Sequence, residues 1–263
     1  MSIWEVIVLA VVEGITEFLP ISSTGHLIIS SAILGIQPND FLKFFTVAIQ
    51  LGAILSVLVL YFRRFFQSIN FYFTLIVAFI PSAVIGVLLN DIIDQALESP
   101  LTVAVFLVLG GIFFIYSDKL FQNNIAEEKS LSKKNAFYIG LFQCIAMFPG
   151  VSRSGATIIG GLFQKLTKKS AAEFSFFLAV PTMFGATAKK MYDFIKVHHS
   201  FTSEEIKCLA IGNLVSFVVA LLAIKFFISL LQKTGFSVYG WYRIIVGGII
   251  LVMYLFGVSL QIV

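Results

Sequence analysis

The chain has 263 residues, of which 59% are hydrophobic and 12% charged, with 18 Lys and Arg against 14 Asp and Glu; its mean hydropathy is +0.98. Soluble domains carry about 25% charged residues, so this composition excludes an ordinary soluble protein and places the chain in a membrane. Apolar runs of about 20 residues, without the short alternating segments of barrel strands, predict an all-α polytopic fold.

The basic excess is not read as nucleic-acid binding, because Lys and Arg collect in cytoplasmic loops of membrane proteins whatever their function. The start Met1-Ser2-Ile3-Trp4-Glu5 lacks the basic opening of a secretory signal and is expected to be retained structure. Cys144 and Cys208 lie in apolar surroundings without CxxC spacing, which predicts packing roles.

Residues 3–19 predict a helix of borderline spanning length. Residues 25–35 form a second apolar piece that rises roughly 16 Å as a helix, too short to cross a bilayer. Joined by the break from Pro20 to Gly25, the two pieces predict a re-entrant hairpin. Lipid cannot satisfy irregular backbone, so such a break must line a cavity or be covered by protein. Full spans are expected at 41–62, 71–90 and 101–117. The pattern then recurs, with short pieces at 135–148 and 155–164 around a Pro/Gly/Ser break, followed by spans near 171–188, 205–224 and 240–258.

Charge sets the expected orientation. Arg63, Arg64, Lys119, Lys129, Lys133, Lys134, Lys165, Lys168, Lys169, Lys225, Lys233 and Arg243 fall on one side, read as cytoplasmic, and Lys43, Lys189, Lys190, Lys196 and Lys207 on the other. The turn from Asn90 to Pro100, with Asp91, Asp94 and Glu98 and no basic residue, is placed outside, and Arg153 sits at neither surface. A shift of 130 residues sets Gln143 on Glu13, Ser152 on Ser22, Ser154 on Thr24 and Gly155 on Gly25, and a shift of 137 sets Gly247-Gly248 on Gly110-Gly111. The chain therefore reads as one integral membrane domain, 1–263, made of two repeats, about 1–120 and 135–263. Each has one hairpin and three crossings, and an odd number of crossings inverts the second. Inverted repeats place their site where broken helices meet near the midplane.

Glu13 and Glu17 are four residues apart and share one helical face. A charge at membrane depth costs about 2.5–3.5 kcal/mol on insertion scales and marks function, and two hard oxygen ligands suit Mg²⁺ or Ca²⁺. Ser22, Ser23 and Thr24 put hydroxyls and backbone N–H groups at a helix start, an anion-binding arrangement, although N-capping alone needs only one of them. His26 beside them suits a general base, or a nucleophile that forms a phospho-enzyme, against the structural role a lone His more often plays. Arg153, between Ser152 and Ser154, can grip phosphate oxygens in a bidentate manner or neutralise Glu13 or Glu17. Thr157 offers a hydroxyl or bonds its own backbone. His198 and His199 read as solvated.

The stretches Glu13-Gly14-Ile15-Thr16-Glu17-Phe18-Leu19-Pro20-Ile21-Ser22-Ser23-Thr24-Gly25-His26 and Pro149-Gly150-Val151-Ser152-Arg153-Ser154-Gly155 together resemble the motifs of the undecaprenyl-diphosphatase family, the bacitracin-resistance type of bacterial membrane phosphatase. The resemblance runs the length of the chain. It implies that Glu13, Glu17, Ser23, His26 and Arg153 are the working residues, with Ser22, Ser152 and Thr157 as helpers. It also implies a divalent-metal-dependent site that opens outward from the bacterial plasma membrane. The implied reaction hydrolyses undecaprenyl diphosphate to undecaprenyl phosphate and inorganic phosphate, recycling the lipid carrier of peptidoglycan synthesis. Phe-rich grooves between spans would hold the prenyl chain. The attacking atom is open among Ser23, His26 and water, and a homodimer is a possible assembly. The rival class is a transporter or flippase of a polyprenyl phosphate, because broken helices in inverted repeats also serve transport.

Overall fold

The structure is a computed structural model that describes residues 1–66, 68–89, 99–258 and 260, with the side chain of Lys129 left out. The acidic residues Asp91, Asp94 and Glu98, expected in an outer turn, lie outside the described residues. The described helices are α1 (Ile3–Thr16), α2 (Ser23–Leu34), α3 (Asp40–Leu60), α4 (Ile69–Leu88), α5 (Pro100–Leu120), α6 (Lys133–Ile145), α7 (Arg153–Phe163), α8 (Lys168–His198), α9 (Ser203–Thr234) and α10 (Ser237–Leu255). Two short 3₁₀ turns, Phe62–Phe66 and Glu128–Ser130, lie in the connections.

Local sequence explains where the helices begin. Ser2 with Glu5 and Thr202 with Glu205 form capping boxes on α1 and α9, while Asn39, Ser68, Ser99, Ser132 and Thr167 cap other starts with their side chains. The helices α3, α4, α5, α8, α9 and α10 are long and apolar enough to cross a membrane. α1, α2, α6 and α7, at 14, 12, 13 and 11 residues, are not. The chain is a multi-pass helical membrane protein, with two short hairpins among six candidate spans in the described residues, as the hydropathy pattern predicts.

Two helices run further than expected. α8 continues to His198 and α9 to Thr234, past Lys189, Lys190, Lys196 and Lys225. Lys ends an apolar run without ending a helix. No glycine or proline interrupts α9 between Lys225 and the positive-φ Gly235 that follows it.

The packing fits an exchange of the two halves. α1 packs on α2 and on α9, and correspondingly α6 packs on α7 and on α4; α3 meets α9 as α4 meets α8, and α5 lies along α10. The connections predicted to be cytoplasmic are gathered at one end. Arg64 pairs with Glu128 at 2.7 Å, Asp118 pairs with Lys168 and accepts the N–H groups of Phe236 and Ser237, and Ala126 bridges to Leu166. Most of the aromatic core, including Phe18, Phe114, Phe174, Phe176, Phe177 and Phe227, surrounds the hairpins. Both cysteines are free, with Cys208 buried.

Candidate active site

α1 stops at Thr16 because Pro20, which lacks an N–H and restricts the residue before it, cannot continue the ladder. The chain then re-enters a helix through Ser22, whose φ of 69° lies in the left-handed region. The second hairpin breaks in the same way, through Gly150 at φ 88° and Ser152 at φ 72°. A Cβ on Gly150 would stand 2.3 Å from the carbonyl oxygen of Val103, so close approach as well as φ requires glycine there.

The breaks meet. Arg153, at the start of α7, donates from Nη2 to Glu17 Oε1 at 2.8 Å, and the hydroxyl of Ser23, at the start of α2, donates to Glu17 Oε2 at 2.7 Å. The guanidinium also donates from Nη1 to the Ser175 carbonyl at 3.0 Å, and it lies 5.8 Å from the centre of the Phe18 ring. A carboxylate from one repeat thus holds an Arg from the other and a hydroxyl of its own. Glu13 is fully buried, and neither of its carboxylate oxygens has a hydrogen-bond partner.

A cavity of about 160 Å³ opens over this junction, lined by Glu17, Ser22, Ser23 and Thr24 from the first hairpin and by Gly150, Ser152 and Arg153 from the second, with Gln50 and Thr182 from α3 and α8. A second cavity of about 380 Å³ between α4, α6 and α8 shares Arg153, Ala146, Thr182 and Ala186 with it. That cavity is walled by apolar residues such as Val47, Phe79 and Met147, and it reaches Lys189 and Lys190. The Phe-rich groove, lined by Phe106, Phe113, Phe114, Phe142 and Phe163, shares no lining residue with either.

Not every predicted residue faces the cavity. Ser154 and Thr157 are buried beneath it. The Gly155 N–H donates to Ser152 Oγ at 3.2 Å, and Ser154 Oγ lies 3.0 Å from Ser152 Oγ and donates to the Leu19 carbonyl at 2.8 Å. Because the Ser154 proton is committed to Leu19, Ser152 is the donor of that hydroxyl pair. Thr157 Oγ1 reaches the carbonyls of Arg153 and Ser154 at 2.9 and 3.2 Å and Ser175 Oγ at 2.6 Å. His26 turns toward α10. Its Nδ1 is 2.7 Å from the Ser22 carbonyl and its Nε2 is 2.8 Å from the Tyr242 hydroxyl, and His26 is not part of the cavity lining. His198 is engaged as well, by Asp40 at 3.1 Å and by the Phe194 ring.

The structure corrects the placement of Arg243. It is fully buried at the foot of both breaks rather than at the cytoplasmic surface. Its guanidinium donates to the carbonyls of Pro20, Val151, Phe106, Gly150 and Leu107 at 3.0 to 3.3 Å. The bent chain leaves carbonyls that no helix can satisfy, and one side chain answers them in both repeats. The signal was present in the sequence, as an Arg inside an apolar span, but proximity to the span's end led to a surface assignment. Tyr242, Ser175 and Gln50 carried no sequence signal.

Two short hairpins whose broken ends share one carboxylate, one guanidinium and a set of hydroxyls, enclosed by six spans, define a polytopic membrane protein with an internal polar chamber. Residues 6–249 match the family described as bacitracin resistance protein BacA. The chain belongs to that family. It is 59% identical over 258 residues to a protein of Flavobacterium johnsoniae named undecaprenyl-diphosphatase, covering 97% of both chains. Proteins of the same name from Porphyromonas gingivalis and Aquifex aeolicus are 50% and 47% identical, with 100% and 97% of this chain covered and 100% of each relative.

Proposed function

We propose that this protein hydrolyses undecaprenyl diphosphate to undecaprenyl phosphate and inorganic phosphate in the plasma membrane. Arg153 reaching across the repeats to Glu17, which also accepts from Ser23 in the same cavity, carries the reading, because it sets a cation and a polarised hydroxyl beside a space of phosphate scale. Phosphoryl transfer needs mainly positioning and charge neutralisation, which Arg153 and the N–H groups at the starts of α2 and α7 supply.

The hydrogen bonds favour Ser23 over His26 as the attacking group. Ser23 Oγ already donates to a carboxylate, whereas both nitrogens of His26 are engaged elsewhere. In the first step Ser23 Oγ bonds to the terminal phosphorus, the bond from phosphorus to the bridging oxygen breaks, and the Ser23 proton passes to Glu17. Neutralising Glu17 loosens its hold on Arg153 and turns the guanidinium toward the phosphoryl oxygens. In the second step water attacks the phosphoserine. Its hydroxyl stays on phosphorus, its other proton returns to Ser23 Oγ, and the proton on Glu17 leaves with inorganic phosphate.

The buried carboxylate of Glu13, whose oxygens make no hydrogen bond, fits a hard divalent cation, Mg²⁺ or Ca²⁺, with Glu17 as the second ligand while it is ionised. Such a cation, when bound, would neutralise phosphate charge. The larger cavity, continuous with the site at Arg153, suits the first isoprene units of the substrate better than the separate Phe-rich groove. Its opening is assigned to the outer face on the charge asymmetry of the loops.

Phosphate release from undecaprenyl diphosphate by purified protein in detergent, with Mg²⁺, Ca²⁺ or chelator, tests the reading. Release is expected with either cation and not with chelator. Absence of release under every condition, together with movement of the lipid across vesicle membranes, would replace the phosphatase with a transporter.

A further inference from the structure

We propose that Tyr242 is a positioning residue that sets the ring orientation and tautomer of His26, and through it the backbone of the first break. The proposal rests on the phosphatase reading of the site for its activity measurement only. The geometry has three links. A carbonyl can only accept, so the 2.7 Å contact with the Ser22 oxygen places a proton on Nδ1 of His26. In the neutral ring Nε2 is then the accepting nitrogen, and the Tyr242 hydroxyl at 2.8 Å donates to it. The two rings lie parallel within 3°, with centroids 5.5 Å apart, so the tyrosine also limits rotation of the imidazole.

The Ser22 carbonyl is where this arrangement has its effect. Ser22 sits at φ 69° and its side chain makes no capping bond, whereas Ser152, at φ 72°, accepts from Gly155 N–H and holds its own break. A non-glycine residue in this region persists only where its surroundings hold it. At Ser22 the holding contact is the Nδ1–H of His26, and Ser22, Ser23 and Thr24 line the cavity. The next residue on α10, Arg243, secures the Pro20 carbonyl two residues earlier, so one turn of α10 braces both sides of this break. The repeat counterparts show that the fold alone does not require the pair. The shift of 130 places Ala156 on His26, and the shift of 137 places Val105 on Tyr242.

Tyr242→Phe keeps the ring and removes the hydroxyl. Its kcat is expected to fall about five- to tenfold, in keeping with loss of one hydrogen bond, with KM changed less than about twofold and elution and thermal unfolding as in the wild type. The second arm observes His26 directly. The chain has three histidines, so His198→Gln with His199→Gln leaves one ¹⁵N-labelled imidazole to follow. The resonances are expected to show the Nδ1–H tautomer, and Tyr242→Phe is expected to move Nε2. An unchanged kcat in Tyr242→Phe overturns the proposal, as does an Nε2 resonance that ignores the loss of the hydroxyl. A wild-type protein that releases no phosphate sinks the phosphatase reading instead, and the resonance then decides by itself whether Tyr242 sets the imidazole.

Discussion

The two hairpins bend through the same backbone conformation, φ 69° at Ser22 and φ 72° at Ser152, yet they hold that bend by different means. The second uses its own serines, with Ser152 capping Gly155 and bonding Ser154, and Ser154 anchoring to the Leu19 carbonyl of the first hairpin. The first relies on His26 and Tyr242 for the Ser22 carbonyl, while Arg243 donates to carbonyls of both breaks. The second hairpin spends the Ser154 and Thr157 hydroxyls on structure and brings Ser152 alone to the cavity, where the first brings Ser22, Ser23 and Thr24. The Glu13 carboxylate makes no hydrogen bond, while its counterpart Gln143 donates to Ser82 and Thr182 at 2.6 and 3.1 Å. Of the two similar bends, one brings a carboxylate and a cluster of hydroxyls to the cavity and the other delivers a guanidinium to them.

The sharpest way to break this division of labour is to remove that guanidinium. Arg153→Ala is expected to lower phosphate release about 10²- to 10³-fold, as loss of a preorganised charge donor does in other acyl- and phosphoryl-transfer sites. It also leaves Glu17 buried without its cation. Stability is therefore expected to fall by about 3–5 kcal/mol unless the carboxyl takes up a proton. A colorimetric phosphate assay on purified protein checks the first figure. Activity within tenfold of wild type would falsify the assignment of Arg153 to the reacting phosphate.

Arg243→Leu tests the shared foundation rather than either half. Five carbonyls lose this donor at once; those of Phe106 and Leu107 keep their intrahelical bonds, whereas those of Pro20, Gly150 and Val151 lie in the breaks, and each buried acceptor left unsatisfied costs about 1–3 kcal/mol. Thermal unfolding in detergent should show the loss, and activity should go with it, because both breaks relax. If stability falls but phosphate release per folded molecule is unchanged, Arg243 supports the bundle without shaping the site.

Glycine substitutions separate the two bends. Gly150→Ala meets both a φ of 88° and a backbone oxygen 2.3 Å away, and neither can yield, so a loss of about 1–3 kcal/mol is expected. Gly25→Ala, just past the first bend, would bring its Cβ within 3.0 Å of the terminal methyl Cδ1 of Leu107, which can rotate away. Its effect on unfolding should be smaller. Equal losses would mean that the second bend is no more tightly determined than the first.

Helix positions and the two hairpins were legible in the sequence because they depend on local features: length of apolar run, Pro20, Gly150 and capping Ser and Thr residues. Glu17, Ser23 and Arg153 were legible because charge and clustered hydroxyls are conspicuous at membrane depth. What the sequence hid is direction. Spacing put Ser154 and Thr157 beside Arg153, but only the packed structure shows them beneath it, bonded to Leu19 and Ser175. Nor could spacing bring Tyr242, 216 positions away, to the Nε2 of His26. Arg243 shows a different failure, in which a rule for surface charge was applied to a residue that a rule for buried charge describes better.

The smallest expected effects come from a pair of threonines that the sequence treats alike. Thr157 Oγ1 is enclosed by the Arg153 and Ser154 carbonyls and the Ser175 hydroxyl, so Thr157→Val should cost about 1–2 kcal/mol of stability through the Ser175 hydroxyl, which loses its 2.6 Å partner, with KM unchanged. Thr24 lines the cavity, so Thr24→Val should leave unfolding near the wild-type temperature and raise KM about two- to fivefold if its hydroxyl meets the substrate. Steady-state kinetics and unfolding measured on both variants read the two effects separately. A raised KM in Thr157→Val would return that hydroxyl to the phosphate site, and with it the view that both hairpins bind substrate through their serine and threonine side chains.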